Sequence, residues 1–512
     1  MKKFLLLIAV ALFSTATYAQ LWTSSITAIG EDEKVEEPSP AAMDKDGNLY
    51  VTGMQTVELE FAGTKNTPSD GMGAYIAKYD VNGNESFLIT LNGNIFLSAI
   101  TTDADNNFYV GGMCQGQAFI TDIEGFEGEF KFIGEEDEIT SFIAKYDTNG
   151  NLLVVKSFKA EHSEFVKEME SMGMAMLDPA TAGVVQIIAE GSKVYVLLGY
   201  DGDVVVDDYL TLTANYKLAW GFLYMNGTNG TILSFDSNLT NVVNEATLTL
   251  AEGCADATEI LDFKFDVEGE NIYLAAPAMG NLVLSTSAGS ESFDFETTDD
   301  GTGNVEVGAI VANVGKKAVK ISNQLAAVYG EDTYLSGMDV KNGNIYLVGL
   351  FEGSCAFAPE KVAVGSNDFY VSSIDANDLT IDWTYINAVE ADYEYVPVVA
   401  FGAENIYIID EMYANHENLV KKYSVTYSGG VKEVEGVDAK GVACNENYVA
   451  FINNDYTTQY FSMYGADILT TSIESVAVET ENTVIYDLTG RRIEKITESG
   501  IYIVNGNKVL VK

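Results

Sequence analysis

Along most of the chain, apolar residues come in short runs bounded by turns rich in Asp, Asn and Gly, the pattern of β-strands linked by hairpins. One such unit recurs seven times. A polar turn leads into an apolar strand with a central tyrosine, first as Asp44 to Gly53 (DKDGNLYVTG) and then as Asp103 to Gly112 (DADNNFYVGG). Weaker copies run from Gly191 to Gly199 and from Gly269 to Ala275. Clear copies return at Asn342 to Gly349 (NGNIYLVG) and Ala403 to Ile409 (AENIYII), and the last is Asn445 to Phe451. The central tyrosines are 50, 109, 195, 273, 346 and 407, with Tyr448 closing the series one position out of step.

A second half follows in several copies. Ala74 to Asp80 (AYIAKYD) leads into Asn82-Gly83-Asn84, and Phe142 to Asp147 (FIAKYD) leads into Asn149-Gly150-Asn151. Tyr370 to Asp375 and Leu419 to Tyr423 are degenerate relatives. Asn-Gly and Asp-Gly supply the positive φ angles that two-residue hairpin loops require. Seven antiparallel units of four strands can close radially and so hide most sheet edges. The sequence therefore predicts an all-β fold, a seven-bladed β-propeller over residues 20–470, with Leu21 to Ile29 able to supply the strand that closes the last blade. Two or more β-sandwich domains are the rival arrangement, and a parallel β-helix is the third.

The stretch from Glu161 to Leu177 departs from this pattern. Phe165, Met169, Met172 and Met176 recur at helical spacing while Glu161, Glu164 and Glu168 mark the other side. It reads as an inserted helix whose apolar stripe packs against the propeller, a partner-binding methionine face being the alternative. The pairing of D-x-x-G-N-x-Y-V-x-G with F-I-A-K-Y-D-x-N-G resembles the β-propeller repeats of exported proteins of Bacteroidetes type. That resemblance implies a scaffold and no particular chemistry.

The N-terminus predicts export. Lys2 and Lys3 precede the ten-residue apolar run Phe4 to Phe13, and Thr17-Tyr18-Ala19 offers a cleavage site before Gln20. Residues 1–19 are thus a secretory signal peptide; ten apolar residues are too few to cross a bilayer. No cysteine follows to carry a lipid, and no second long apolar run gives a transmembrane segment. Cys114, Cys254, Cys355 and Cys444 lie too far apart for a zinc-finger or thioredoxin-like pattern. They are read either as disulfide partners or as buried free thiols.

The chain of 512 residues has 28 Lys and Arg against 76 Asp and Glu, a formal charge of −48. With 47% of residues apolar it can bury a large core, which excludes a disordered acidic protein. Nucleic acid is excluded as a partner because phosphate binding needs a surplus of Lys and Arg. Only His162 and His416 are present, which leaves little for histidine-based zinc sites or catalysis.

The last residues change character: Glu481 to Lys512 carries five basic and four acidic residues. A strand from Ile485 to Ile493 is broken by a glycine turn, and Gly500 to Lys512 is a hairpin about Asn505-Gly506. Residues 473–512 resemble the C-terminal sorting domain of type IX secretion substrates, in which Y-D-L-x-G-R precedes G-x-Y-x-V and a lysine-containing end. The matching positions are Tyr486, Asp487, Leu488, Gly490 and Arg491, then Gly500, Tyr502 and Val504, then Lys508 and Lys512. The family's upstream Pro-Asn-Pro element is missing, so this is a short form. The resemblance implies that the type IX machinery is a partner and that the protein is secreted or held on the outer-membrane surface.

Candidate chemistry is sparse. Asp44, Asp46 and Asn48, and likewise Asp103, Asp105 and Asn107, match the start of a calcium loop. The glutamate such a loop needs at its twelfth position is replaced by Gln55 and Cys114. Asx-type turns feeding hairpins explain the six residues better, and calcium is the one cofactor they could take. The Asp-box of sialidase propellers, G-x-S-x-G, HExxH and the P-loop signature are all missing. Tyrosine, Asp and Asn in these numbers suit recognition of an extracellular glycan or protein. The reading is a secreted or cell-surface binding or adhesion module. The alternative is a carbohydrate-active propeller enzyme, a glycosidase or lyase using paired carboxylates.

Overall fold

The computed structural model describes residues 20–28 and 40–466, apart from 70, 137, 255–257, 296–306, 323–332, 415, 435–438 and 455–457, together with the strands of the C-terminal tail. Residues 1–19, which the sequence reads as a signal peptide, lie outside the described residues. The chain divides into two compact units, 1–466 and 467–512.

Among the described residues of the larger unit the ladder pairings trace seven principal antiparallel sheets of four main strands each, the first six in sequence order. Sheet 1 runs Ala41–Met43, Leu49–Gln55, Gly73–Tyr79 and the first half of Glu85–Thr102. The second half of that long strand opens sheet 2, followed by Phe108–Asp122, Ile139–Tyr146 and Leu152–Phe158. Sheet 3 comprises Ala182–Glu190, Lys193–Tyr200, Asn229–Asp236 and Val243–Leu250. Sheet 4 comprises Lys264–Glu268, Asn271–Met279, Val307–Asn313 and Lys317–Ser322. Sheet 5 comprises Thr333–Lys341, Asn344–Cys355, Ala358–Asp375 and Ile381–Ile386. Sheet 6 comprises Val398–Phe401, Asn405–Ala414, Glu417–Thr426 and Val431–Glu433. Sheet 7 takes three strands from the chain's end, Gly441–Cys444, Tyr448–Asn454 and Thr458–Gly465, and its outermost strand from the N-terminal Gln20–Ala28.

The first strand of each sheet touches the first strand of the next, and sheet 7 touches sheet 1. That cyclic order defines a β-propeller. Its cores lie between sheets. The repeated tyrosine is buried at six of the seams and half-buried, as Tyr448, at the closing one: Tyr50 packs with sheet 2, Tyr109 with sheet 3, Tyr195 with sheet 4, Tyr273 with sheet 5 and Tyr346 with sheet 6. Tyr407 reaches Phe451 of sheet 7, ring centroids 6.5 Å apart. The tyrosine of each second strand thus serves as a wedge between neighbouring sheets, which is why it recurs.

The glycine three residues after it has a packing reason. A Cβ on Gly349 would stand 1.8 Å from the Tyr334 carbonyl oxygen, and one on Gly53 would stand 2.5 Å from the Tyr75 ring. Extra residues between repeats build hairpins that cross to the preceding sheet. Leu59–Phe61, from sheet 1, pairs with Gln20–Ala28 of sheet 7, and Asn281–Thr286, from sheet 4, pairs with Val243–Leu250 of sheet 3. Asp203–Asp207, from sheet 3, pairs with Ala160–Glu161, just beyond the last strand of sheet 2.

The inserted helix is shorter than the spacing predicts, Glu164–Ser171, capped by Ser163. Its stripe also departs from expectation. Val166 is buried and Met169 partly so, whereas Phe165, Met172 and Met176 stand exposed and Met176 belongs to a strand. The reason is local: Val166 already fills the contact with the core, and the helix ends before the stripe completes a third turn.

In the smaller unit Ile485–Asp487, Arg492–Ile493, Gly500–Val504 and Asn507–Val511 form an antiparallel sheet. Asp487 is registered with Tyr502, and Ile503 with Lys508. The backbone of Tyr486, Asp487, Gly500, Tyr502, Val504 and Lys508 therefore lies in strands. Leu488, Gly490, Arg491 and Lys512 lie outside the described residues.

Candidate functional site

One face of the ring carries the turns between first and second strands and between third and fourth. Asp44 is built into such a turn: Oδ1 accepts the Asp46 and Asn48 N–H groups at 3.0 and 2.9 Å, and Oδ2 accepts Asn48 Nδ2 at 2.7 Å. Asp103 does the same for Asp105 and Asn107, and the Tyr109 hydroxyl donates to it at 3.2 Å. These oxygens shape backbone, as Asx turns require. Asp46 and Asp105 belong to neighbouring turns; Asp46 accepts from Asn106. Among the described residues no group of three or more Asp, Glu, His or Cys side chains is arranged to hold a metal ion.

The lysine of the K-Y-D element is a latch between sheets. Lys78 Nζ donates at 2.8 Å to the carbonyl of Thr148, in the outer turn of sheet 2, and lies 5.1 Å from the Tyr50 ring centre. Lys145 repeats this one sheet on, donating at 2.8 Å to the Ser237 carbonyl and lying 5.1 Å from the Tyr109 ring. Thr148 and Ser237 each follow the aspartate of their turn, so the two latches are the same device. Asn445 of sheet 7 donates at 2.6 Å to the Asp44 carbonyl of sheet 1, which carries the series across the point of closure.

At the centre of this face the first turns of sheets 1, 5, 6 and 7 enclose a recess of about 310 Å³ lined by Lys45, Lys341, Asp339, Gly402, Asn445 and Glu446. Only near the ring axis can so many sheets meet. Lys341 donates to the Gly402 carbonyl at 3.0 Å and sits 4.7 Å from the Tyr427 ring, while the Tyr427 hydroxyl donates to Asp339 at 3.0 Å. Burial raises the Asp339 carboxyl above the usual range. The lining mixes side chains of both charges and Asn445 with the apolar Phe401 and Ala403.

A second cluster, at the seam between sheets 5 and 6, escaped sequence reasoning. Glu394, Asp410 and Asp368 are 3%, 0% and 0% exposed. Asp368 accepts the Val364 and Val389 N–H groups at 2.6 and 3.0 Å, Glu394 accepts Phe369 N–H at 3.1 Å, and Asn387 Nδ2 donates to Asp410 at 3.0 Å. Among the described residues Glu394 Oε1 and Asp410 Oδ1 meet no hydrogen-bond partner. Burial, and then the charges of Asp410 and Asp368, push Glu394 up to about 8. Burial likewise brings Asp410 to about 7, against the pull of Lys421 beside it in the ladder. One signal was present in the sequence: Asp410 follows Tyr407 by three, the position that glycine takes in the clear repeats.

All four cysteines are free thiols; Cys114, Cys254 and Cys355 are buried and Cys444 partly so. No helix of the described residues is long and apolar enough to cross a membrane.

No protein-family model matches the chain, and no curated protein matches it. Among solved structures it is similar to β-propellers. A catalytically inactive virginiamycin B lyase from Staphylococcus aureus aligns at TM-score 0.35 and 10% identity, covering 86% of this chain and 99% of that one. The Dos1 propeller aligns at 0.39 and 8%, covering 84% and 93%. The polysaccharide lyase Uly1 aligns at 0.38 and 9%, covering 84% and 90%.

Proposed function

We propose that the chain is an exported β-propeller that acts by binding, with residues 1–19 as its signal peptide and residues 473–512 as an address read by type IX secretion machinery. Its ligand is an extracellular glycan or protein. The observation that carries binding over catalysis is burial. Glu394 and Asp410, two of the three carboxylates raised to about 7 or 8 (Asp266 is the third), are walled into a seam at 3% and 0% exposure, whereas a general acid must reach the bond it protonates. What faces solvent is a recess of mixed polarity on the axis and a set of uncovered aromatic side chains. Incubating the mature chain with a panel of polysaccharides and glycoproteins tests this reading. It predicts retention on a ligand with no new reducing ends. Release of reducing ends that disappears in Glu394→Gln would establish the enzyme instead.

A further inference from the structure

Two insertions lie close together beside sheet 3: the helix Glu164–Ser171 with the strand Ala175–Met176, and the hairpin Lys217–Ala219 with Leu223–Met225. Tyr224 N–H donates to the Met174 carbonyl at 2.9 Å, and the Phe165 ring meets Tyr224 edge-on at 5.6 Å. Phe222, two residues before Tyr224, shares its side of the strand, and its ring lies 6.5 Å from Trp220. Phe165, Met172, Trp220 and Phe222 are all more than half exposed, Trp220 at 79%. The other two tryptophans are accounted for: Trp22 donates to the Val81 carbonyl, and Trp383 packs in the core between sheets 5 and 6.

The backbone at Trp220 is the second observation. It sits at the tip of a tight turn closed by Phe222 N–H to the Ala219 carbonyl at 3.2 Å, with φ +51° at Trp220 and +76° at Gly221. Two consecutive positive φ angles favour Asn-Gly or Gly-Gly, and a bulky ring there is strained. Strain of that kind collects where a side chain is presented for use. The surroundings are acidic: residues 159–178 and 201–228, which build this surface, hold nine Asp and Glu against three Lys.

We propose that this surface docks a cationic amphipathic segment of another protein, whose apolar side chains seat on Phe165, Trp220 and Phe222 while its lysines or arginines face the acidic rim. This rests on the binding reading above and names the partner's chemistry. Exposed methionine and aromatic faces adapt to varied apolar anchors, and the opposite charge steers approach and makes it salt-dependent.

The test uses the full mature chain and two synthetic 18-residue peptides of equal charge, one alternating Lys with Leu on an amphipathic helical pattern, the other with Ser in place of Leu. Affinity is read by calorimetry. The Leu peptide should bind at least tenfold tighter than the Ser peptide, and that ratio should fall toward one in Trp220→Ser/Phe222→Ser and in Phe165→Ser. All three positions are exposed, so unchanged thermal unfolding checks that the variants are folded. A ratio of one in the parent chain, or a ratio kept in both variants, overturns the proposal. So does a Trp220-dependent blue shift of fluorescence on zwitterionic vesicles without peptide, which would assign the surface to lipid. Polysaccharide cleavage in the earlier assay would sink the binding reading while leaving this ratio intact, so the two failures are distinguishable.

Discussion

Replacing Glu394 by glutamine removes an ionisable group from a site that cannot easily hold its charge. In the folded chain its carboxyl titrates at about 8 against an ordinary 4.5. Below pH 4.5 it is protonated in both states and contributes no difference. Between pH 4.5 and 8 the unfolded chain has released the proton while the folded chain still binds it, so stability falls as pH rises. Above pH 8 the whole penalty is present. At about 1.4 kcal/mol per pH unit over that interval, the loss is about 5 kcal/mol. Glutamine keeps an oxygen for the Phe369 N–H and adds an N–H donor near Asp410, whose Oδ1 has no partner among the described residues. An unfolding entropy of about 2.1 cal/mol/K per residue over the propeller gives about 0.9 kcal/mol/K, so 5 kcal/mol corresponds to about 5 °C. Thermal unfolding of both proteins from pH 5 to pH 9 is the assay. About 4 of those 5 kcal/mol are lost between pH 5 and pH 9, so the variant's melting temperature should gain about 4 °C relative to the parent across that range. A difference that stays constant within about 1 °C would refute the reasoning, because the parent would then carry no buried proton at this position.

Three other substitutions probe the ring, and two more serve as controls. Lys145→Met removes the 2.8 Å bond to the Ser237 carbonyl and the charge 3.8 Å from Asp103; urea unfolding should register a loss of about 2–3 kcal/mol. The exposed Lys167→Met should change stability by less than about 1 kcal/mol. Gly349→Ala forces a Cβ to 1.8 Å from the Tyr334 oxygen and should destabilise by about 3 kcal/mol or more, while Gly183→Ala, which meets only Met113 at 3.5 Å, should be nearly neutral. Ile26→Ala opens a cavity in the core that closes sheet 7 on sheet 1 and should lower stability by about 2–5 kcal/mol by the same measurement.

Much of the fold was legible because its repeat is local. The turn aspartate, the tyrosine six residues on and the glycine three further are each demanded by contacts that recur from sheet to sheet, so Asp44, Tyr50 and Gly53 reappear as Asp103, Tyr109 and Gly112. The uneven spacing between repeats was harder to read. Its cause is pairing between distant segments, such as Asn281–Thr286 with Val243–Leu250, which no local pattern encodes. The methionine stripe misled for a related reason: periodicity marks Phe165, Met169 and Met172 as one face but says nothing of what covers it. Val166 is the helix's buried residue, and of the stripe itself Met169 packs partly against the same core. The carboxylate cluster was hidden because Asp368, Glu394 and Asp410 come from three different segments, and only Asp410 breaks the repeat visibly.

The most direct measurement is a fractionation of the native host expressing either the intact chain or one ending at residue 472. An exported propeller with its address in the tail should reach the cell surface or medium when intact and stop in the periplasm when shortened. If both forms remain in the periplasm, the tail is no address and the type IX reading fails.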